Sequence, residues 1–240
     1  METSPHPTVP RQVLQPLLSN LGKALVDIVF PVTCTGCGER IAASDQPICD
    51  LCVGRLVRAN TGEAMARILA HVGPCPFTSA IALWTFDKGG MLQQMHRSLK
   101  YGNRPRFGLR LGTLMASAIP EHTPLDAIIP IPLHRQRYLT RGYNQSTTLA
   151  EGLAAKLGVP VAEDLLHRTR PTRSQTRLSR AARRQNVTGA FATSTPERIE
   201  DKHLLLVDDV LTTGATVLAA ADVLHAYKPA SLHCVTMAIA

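Results

Sequence analysis

The chain has 240 residues and a mass of 26.0 kDa, which is enough for one α/β core and one small accessory module. Its 45% hydrophobic and 18% charged residues exclude an intrinsically disordered chain. The net charge of +8 comes from residues 135–184, which hold eleven Lys or Arg and three Asp or Glu. Such a basic block is typical either of a solvated face or of a site for a strongly anionic ligand.

The first thirty residues predict a tail and a short helix. Residues 1–16 begin METSPHPTVPRQ, whose acid and three prolines do not have the layout of a signal peptide, and we expect a disordered tail. Residues 17–30 space their apolar side chains along one helical stripe. This run is interrupted by Asn20, Lys23 and Asp27 and is shorter than the roughly 20 residues that span a bilayer. We therefore expect no membrane span, and the Cys-x-x-Cys pairs that follow favour a reducing cytoplasm.

Two Cys-x-x-Cys pairs follow the helix. Cys34 and Cys37 form the first, and Cys49 and Cys52 form the second after an interval of eleven residues. In a chain without a secretion signal this layout indicates metal ligands rather than disulfides. Four thiolates complete the tetrahedral shell of Zn²⁺ and leave no position for water, so the predicted zinc is structural. The alternative is a set of unpaired buried thiols.

Strand-like and helix-like segments then alternate to the end of the chain. The predicted strands are 78–86, 126–131, 159–165, 203–207 and 231–239, and the predicted helices are 91–101, 105–119, 143–157 and 213–227. This alternation predicts an α/β domain with a mostly parallel sheet flanked by helices on both faces. Residues 60–76 show no clear periodicity and are expected to be a connection.

The segment 128–145, IIPIPLHRQRYLTRGYNQ, is predicted to leave a strand through a rigid, extended exit set by Pro130 and Pro132. Guanidinium forks match phosphate oxygens well. This segment is therefore predicted to be a loop that binds pyrophosphate through Arg135, Arg137 and Arg141. An ordinary basic turn is the alternative.

The segment 204–216, LLLVDDVLTTGAT, combines an apolar strand, two acids and a polar turn that opens a helix. In open α/β sheets ligands collect at the carboxyl ends of strands, where the carboxylates of Asp208 and Asp209 can accept hydrogen bonds from ribose hydroxyls. The turn offers N–H groups at a helix N-terminus, which favours a phosphate, and Gly214 permits close backbone approach. The alternative is that these polar residues only cap a helix.

All thirteen positions of this segment resemble the signature by which type I phosphoribosyltransferases bind 5-phosphoribosyl-1-pyrophosphate (PRPP). The resemblance assigns the ribose and its Mg²⁺ to Asp208 and Asp209, the predicted catalytic pair. It assigns the 5′-phosphate to the loop that consists of Thr212, Thr213, Gly214, Ala215 and Thr216.

Further residues are predicted to complete the PRPP site. Lys100 is a candidate ligand of the pyrophosphate, although a solvent-facing lysine is the default at a helix end. The polar segment 168–191 is a candidate lid, because water would intercept the oxocarbenium-like state of transfer. In it Arg173 is assigned to the pyrophosphate, and a basic amphipathic helix is the alternative. Single histidines, His96 among them, are expected to be surface or satisfied core residues.

The motifs CTGCGER, CDLC, SLKYGNR, RGYNQ, RPTRSQTRLSRAARRQNVTGAF and LLLVDDVLTTGAT occur in this order. With them the chain resembles the ComF family of competence-associated, phosphoribosyltransferase-like bacterial proteins over nearly its whole length. The resemblance implies a zinc-ribbon-like module, with its helix, in residues 17–60. It also implies a type I phosphoribosyltransferase fold in residues 77–240 and a link to DNA uptake.

Three functions stay open at this stage. The first is an enzyme that transfers phosphoribose from Mg²⁺-PRPP to an unidentified acceptor. The second is a nonenzymatic module that binds single-stranded DNA or a competence helicase through the basic block, against which the 4% aromatic content counts. The third is a PRPP sensor. No motif indicates the acceptor or the oligomeric state.

Overall fold

The structure is a computed structural model that describes residues 33–34, 36–41, 48–70, 75–171, 187 and 189–240. The predicted tail, the predicted helix at 17–30 and Arg173 lie outside these residues, as does most of the predicted lid. The division of the chain into 1–16, 17–60 and 77–240 stays a prediction.

The described helices and strands alternate along most of the chain. In chain order they are α1 (Asp50–Gly54), α2 (Glu63–Leu69), β1 (Ser79–Thr85), α3 (Met91–Tyr101), α4 (Pro105–Met115), β2 (Ala127–Pro130), α5 (Arg135–Arg141), α6 (Gln145–Leu157), β3 (His167–Arg168), β4 (Phe191–Ala192), β5 (His203–Leu211), α7 (Ala215–His225) and β6 (Ser231–Ile239).

Four strands form one parallel sheet in the order β1-β6-β5-β2. The predicted parallel α/β architecture is therefore confirmed. The short strands β3 and β4 pair antiparallel outside this sheet. Residues 57–59 run antiparallel to the end of β1, where the Ala59 N–H donates to the Leu83 carbonyl at 3.2 Å.

Apolar side chains cover both faces of the sheet, as the two-residue period of a strand requires. Leu204 and Leu206 of β5 face a cluster that contains residues of α2 and α7. Leu205 and Val207 face a second cluster that contains residues of α3, α4 and α6. Cys34 and Cys52 belong to this second cluster, so the cysteine segment packs against the same core as the sheet helices.

Helices α4 and α6 approach closely because glycines line their contact. A Cβ atom on Gly152 would lie 1.9 Å from the carbonyl oxygen of Leu109, and one on Gly112 would lie 2.0 Å from that of Leu149. The Thr113 hydroxyl also donates to the Gly152 carbonyl at 3.3 Å. This contact fixes α6 against the sheet, with its N-terminus at the carboxyl edge of β2 and β5.

Two predictions for this part of the chain were wrong. Residues 159–165 form one bridge, between Val161 and Ile128, followed by a 3-10 turn at Glu163–Leu165, since Pro160 has no N–H to extend a ladder. The expected connection at 60–76 contains the helix α2. Within the described ranges, no helix is both long and apolar enough to cross a membrane.

Candidate functional site

The two acids lie inside β5 rather than after it. The sequence predicted the strand to end at Val207, but β5 continues to Leu211 because β6 pairs with it as far as Ile239. Successive strand residues point to opposite faces. Asp208 and Asp209 therefore have different surroundings, although they are neighbours in sequence.

Asp209 is buried and is surrounded by donors. Its Oδ2 lies 2.9 Å from Nζ of Lys100, 3.0 Å from Nε2 of His96 and 3.2 Å from Nε2 of Gln145. Its Oδ1 accepts the Val210 N–H at 2.7 Å. Burial alone would raise the pKa of Asp209, but Lys100 and His96 hold this pKa well below its ordinary range. Asp209 is therefore ionised.

Asp208 is the more exposed of the two carboxylates. Its Oδ1 accepts the Ser146 hydroxyl at 3.1 Å and the Asp209 N–H at 2.9 Å. Burial, and after it the charge of Asp209, raise the pKa of Asp208 to about 7. The pair thus combines one carboxylate that is ionised at neutral pH with one that exchanges a proton near neutral pH.

The N-terminus of α6 places two side chains on these acids. Asn144 caps the helix, since its Oδ1 accepts the Ser146 N–H at 3.2 Å, and its Nδ2 donates to the Ile131 carbonyl at 3.1 Å beyond β2. Gln145 and Ser146, the first two residues of α6, then contact Asp209 and Asp208 respectively.

The predicted phosphate loop joins β5 to the eleven-residue helix α7. Gly214 has a φ of +76° and is buried, a backbone conformation that favours glycine. Thr213 is also buried, while Thr212 and Thr216 are half-buried. Ala215 begins α7 and its N–H points to the Thr213 hydroxyl at 3.5 Å. The loop therefore lies at a helix N-terminus, a position that favours a phosphate.

The predicted pyrophosphate loop is a helix, which corrects the sequence analysis. After a short irregular stretch, His134 caps α5 by accepting the Gln136 N–H at 3.3 Å. Gly142, with a φ of +80°, ends α5. Arg135 is exposed, whereas Arg137 and Arg141 are half-buried. The residues between the two caps favour a helix, a preference that the proline motif upstream obscured.

Arg141 connects α5 to the buried acid. Its Nη1 donates to Oε1 of Gln145 at 2.9 Å, and Gln145 in turn donates to Asp209. The Arg141 guanidinium also lies over the Tyr101 ring, 5.5 Å from its centroid, which is a favourable cation–π geometry.

The sequence analysis missed three residues of this site. His96 was expected to be an ordinary histidine, although its i, i+4 spacing from Lys100 places both on one helix face. Ser146 had no signal beyond its place in the first turn of α6. Arg168, on β3, has its guanidinium 5.1 Å from the Phe191 ring centroid and donates to the Pro132 carbonyl at 3.5 Å.

Arg168 adds half-buried positive charge beside the acids. Burial, and after it the charge of Arg137, lower the pKa of Arg168 to about 10, while the charge of Asp208 opposes this effect. Burial and the charge of Arg141 likewise lower the pKa of Arg137. Like charges held together near a carboxylate are characteristic of a site for an anion.

The four predicted metal ligands come together as one cluster. The sulfurs of Cys34, Cys37, Cys49 and Cys52 all lie within 4.8 Å of one another. Those of Cys37 and Cys49 are 3.8 Å apart, which matches the edge of about 3.8 Å in a tetrahedron with metal–sulfur bonds of about 2.3 Å. The N–H groups of Gly36 and Cys49 both donate to Cys34 Sγ at 3.3 Å. The cluster can hold one metal ion.

The chain is similar to several known proteins over this region. A family model described as a phosphoribosyl transferase domain matches residues 144–239, which include α6, both acids and the phosphate loop. A solved structure, the B. subtilis glutamine PRPP amidotransferase with ADP and GMP, is 20% identical and covers 58% of this chain and 30% of its own, with a TM-score of 0.40.

Two curated relatives extend the comparison. The DNA utilization protein YhgH of Escherichia coli O157:H7 is 30% identical over 197 residues, which are 80% of this chain and 83% of that protein. Competence protein F of Haemophilus influenzae is 39% identical over 93 residues, 38% of this chain and 41% of its own. The motifs, the parallel sheet, the cysteine cluster and these relatives establish that the chain belongs to the ComF family of phosphoribosyltransferase-like proteins.

Proposed function

We propose that the protein binds Mg²⁺-PRPP at the carboxyl edge of β5 and transfers its phosphoribosyl group to an unidentified acceptor, in a process linked to DNA utilization. This proposal rests on one observation. Asp208 and Asp209 lie near the end of β5, and a buried glycine turn connects this strand to the N-terminus of α7. The names of the relatives support the link to DNA.

Each group has a role in this proposal. Asp208 accepts hydrogen bonds from the ribose hydroxyls and, with Asp209, would hold Mg²⁺, whose charge neutralises the pyrophosphate. The loop Thr212–Thr216 binds the 5′-phosphate. Arg137, Arg141 and Arg168 receive the pyrophosphate, with Arg135, Lys100 and Arg173 as further candidates.

The transfer breaks the bond between C1 of the ribose and the pyrophosphate oxygen, which keeps the electron pair. An acceptor atom forms the new bond to C1 and releases its proton. Water or the departing pyrophosphate takes up that proton. Partly buried guanidinium groups stabilise the departing charge.

We also propose that the cysteine cluster holds structural Zn²⁺, because four thiolates close the coordination shell. Reduced thiols suit a reducing compartment, and we propose the cytoplasm.

The proposal is tested by calorimetric titration with Mg²⁺-PRPP. Wild type is expected to bind, and Asp208→Asn is expected to weaken binding at least about tenfold, the cost of a lost charged hydrogen bond. Asp208→Asn leaves the donors around Asp209 in place. Asp201→Asn, at an exposed position with a φ of +54°, is the matched control. Equal affinities of wild type and Asp208→Asn would overturn the site. Pyrophosphate release with candidate bases then separates an enzyme from a sensor.

A second candidate function, binding of single-stranded DNA, is favoured by one surface. Tyr101 and Tyr138 are 73% and 51% exposed, and α5, which carries three arginines, has no buried residue. Exposed aromatic rings beside basic groups suit stacked bases. Tyr101→Ala with Tyr138→Ala is expected to abolish a salt-dependent shift of labelled single strands. Tyr227→Ala, at a 40% exposed tyrosine, is the control, and an unchanged shift in the double variant would exclude this surface.

A further inference from the structure

Helix α2 lies behind the phosphate loop, although it is outside the residues that match the phosphoribosyl transferase model. Ala64 and Ile68 are buried in the cluster that covers one sheet face. A Cβ atom on Gly214 would lie 3.4 Å from Cγ1 of Ile68, so the loop passes close to α2. Helix α2, which carries no sequence motif, therefore lies directly beside the phosphate loop.

Arg67 joins α2 to the ends of the two central strands. Its Nη1 donates to the Thr212 carbonyl at 3.3 Å and also to the Ala240 carbonyl, just beyond β6. Glu63, one turn earlier, lies 3.7 Å from Nη2 of Arg67. The Ala240 N–H donates to the Leu211 carbonyl at 2.9 Å. One guanidinium thus holds the first residue of the phosphate loop and its neighbouring strand together.

The contact with the Thr212 carbonyl also sets the direction of a loop N–H. The Thr212 carbonyl and the Thr213 N–H belong to one planar trans peptide, in which they point in opposite directions. Holding the carbonyl toward Arg67 therefore turns the Thr213 N–H away from α2. A loop held in this way before the ligand arrives loses less conformational entropy when it binds.

We infer that Arg67 is a positioning residue of the phosphate loop. It orients the Thr212–Thr213 peptide for the 5′-phosphate and does not touch the ligand itself. The inference rests on the proposed PRPP site, and it assigns to α2 a part in binding that no motif of the chain indicates.

The test compares two halves of PRPP as separate probes. Arg67→Met is expected to weaken binding of ribose 5-phosphate about tenfold, the effect of losing a charged hydrogen bond, and to leave the affinity for inorganic pyrophosphate unchanged. Arg67→Lys, which keeps the charge but not the fork, is expected to show the same selective loss at about threefold. Arg198→Met, which removes an exposed arginine paired with Asp164, is the matched control and should bind like wild type.

Hydrogen exchange of the ligand-free proteins adds a readout that does not depend on binding. The amides of residues 212–216 are expected to exchange faster in Arg67→Met than in wild type. Equal exchange there, or equal loss of affinity for both probes, would overturn the inference. If Arg67→Met does not fold, wild-type affinity of Arg67→Lys for ribose 5-phosphate would overturn it too. A wild type that binds neither ribose 5-phosphate nor PRPP would instead refute the proposed function, and the positioning role with it.

Discussion

Replacing Lys100 by methionine tests whether this lysine forms an ion pair with Asp209. The Nζ–Oδ2 distance is 2.9 Å, and the two side chains are 21% and 8% exposed. Over this distance the Coulomb attraction is about 6 kcal/mol at an effective dielectric constant of about 20. The desolvation of Lys100 offsets part of it, and three other donors remain on Asp209. We therefore expect Lys100→Met to lower the free energy of unfolding by about 2–3 kcal/mol.

Urea unfolding followed by circular dichroism measures this change. The control is Lys156→Met, since Lys156 also lies in the last turn of its helix but is exposed, and it is expected to change stability by less than about 0.5 kcal/mol. If both variants unfold at the same urea concentration as wild type, the ion pair is not formed. Lys100 would then be free for the pyrophosphate, as the sequence alone suggested.

Three other changes test the fold and the metal cluster. Gly152→Ala is expected to lower the free energy of unfolding by about 3 kcal/mol, since its Cβ would meet a carbonyl oxygen at 1.9 Å. The control Gly54→Ala has open space around its Cβ and should leave the free energy of unfolding unchanged in the same urea titration. Cys37→Ser is expected to lose bound zinc by elemental analysis and to lower the unfolding temperature, while Cys75→Ser keeps its zinc; full retention in Cys37→Ser would refute the cluster. Burial, and then the charge of His203, lower the pKa of His233. Neutral His233 therefore contributes stability that is fully present above the pKa of an unfolded histidine, about 6.5, and that is lost as the pH falls below this value. When the pH is lowered from about 7.5 to about 5.5, the free energy of unfolding should therefore fall less in His233→Gln than in wild type. Equal falls would contradict the lowered pKa of His233.

Local sequence patterns predicted much of the fold because apolar residues recur with a clear helical or strand period and because the helices have recognisable capping residues. The strand at 231–239 and the helix at 91–101 agree with β6 and α3 to the residue. The failures have separate physical reasons. β5 runs on through its two acids because β6 pairs with it. The stretch around Val161 forms only a single bridge to Ile128.

Short stretches of the chain were enough to predict the main strands and helices, the cysteine cluster and the segment 204–216 that carries the acids and the phosphate loop. The contacts between distant stretches could not be predicted in this way. His96 and Lys100 meet Asp209, Ser146 meets Asp208, and Arg67 contacts the loop from 145 residues away. These contacts depend on how α2, α3 and α6 pack on the sheet. Lys100 and His96 then hold the pKa of Asp209 well below its ordinary range, while burial and the charge of Asp209 raise the pKa of Asp208 to about 7.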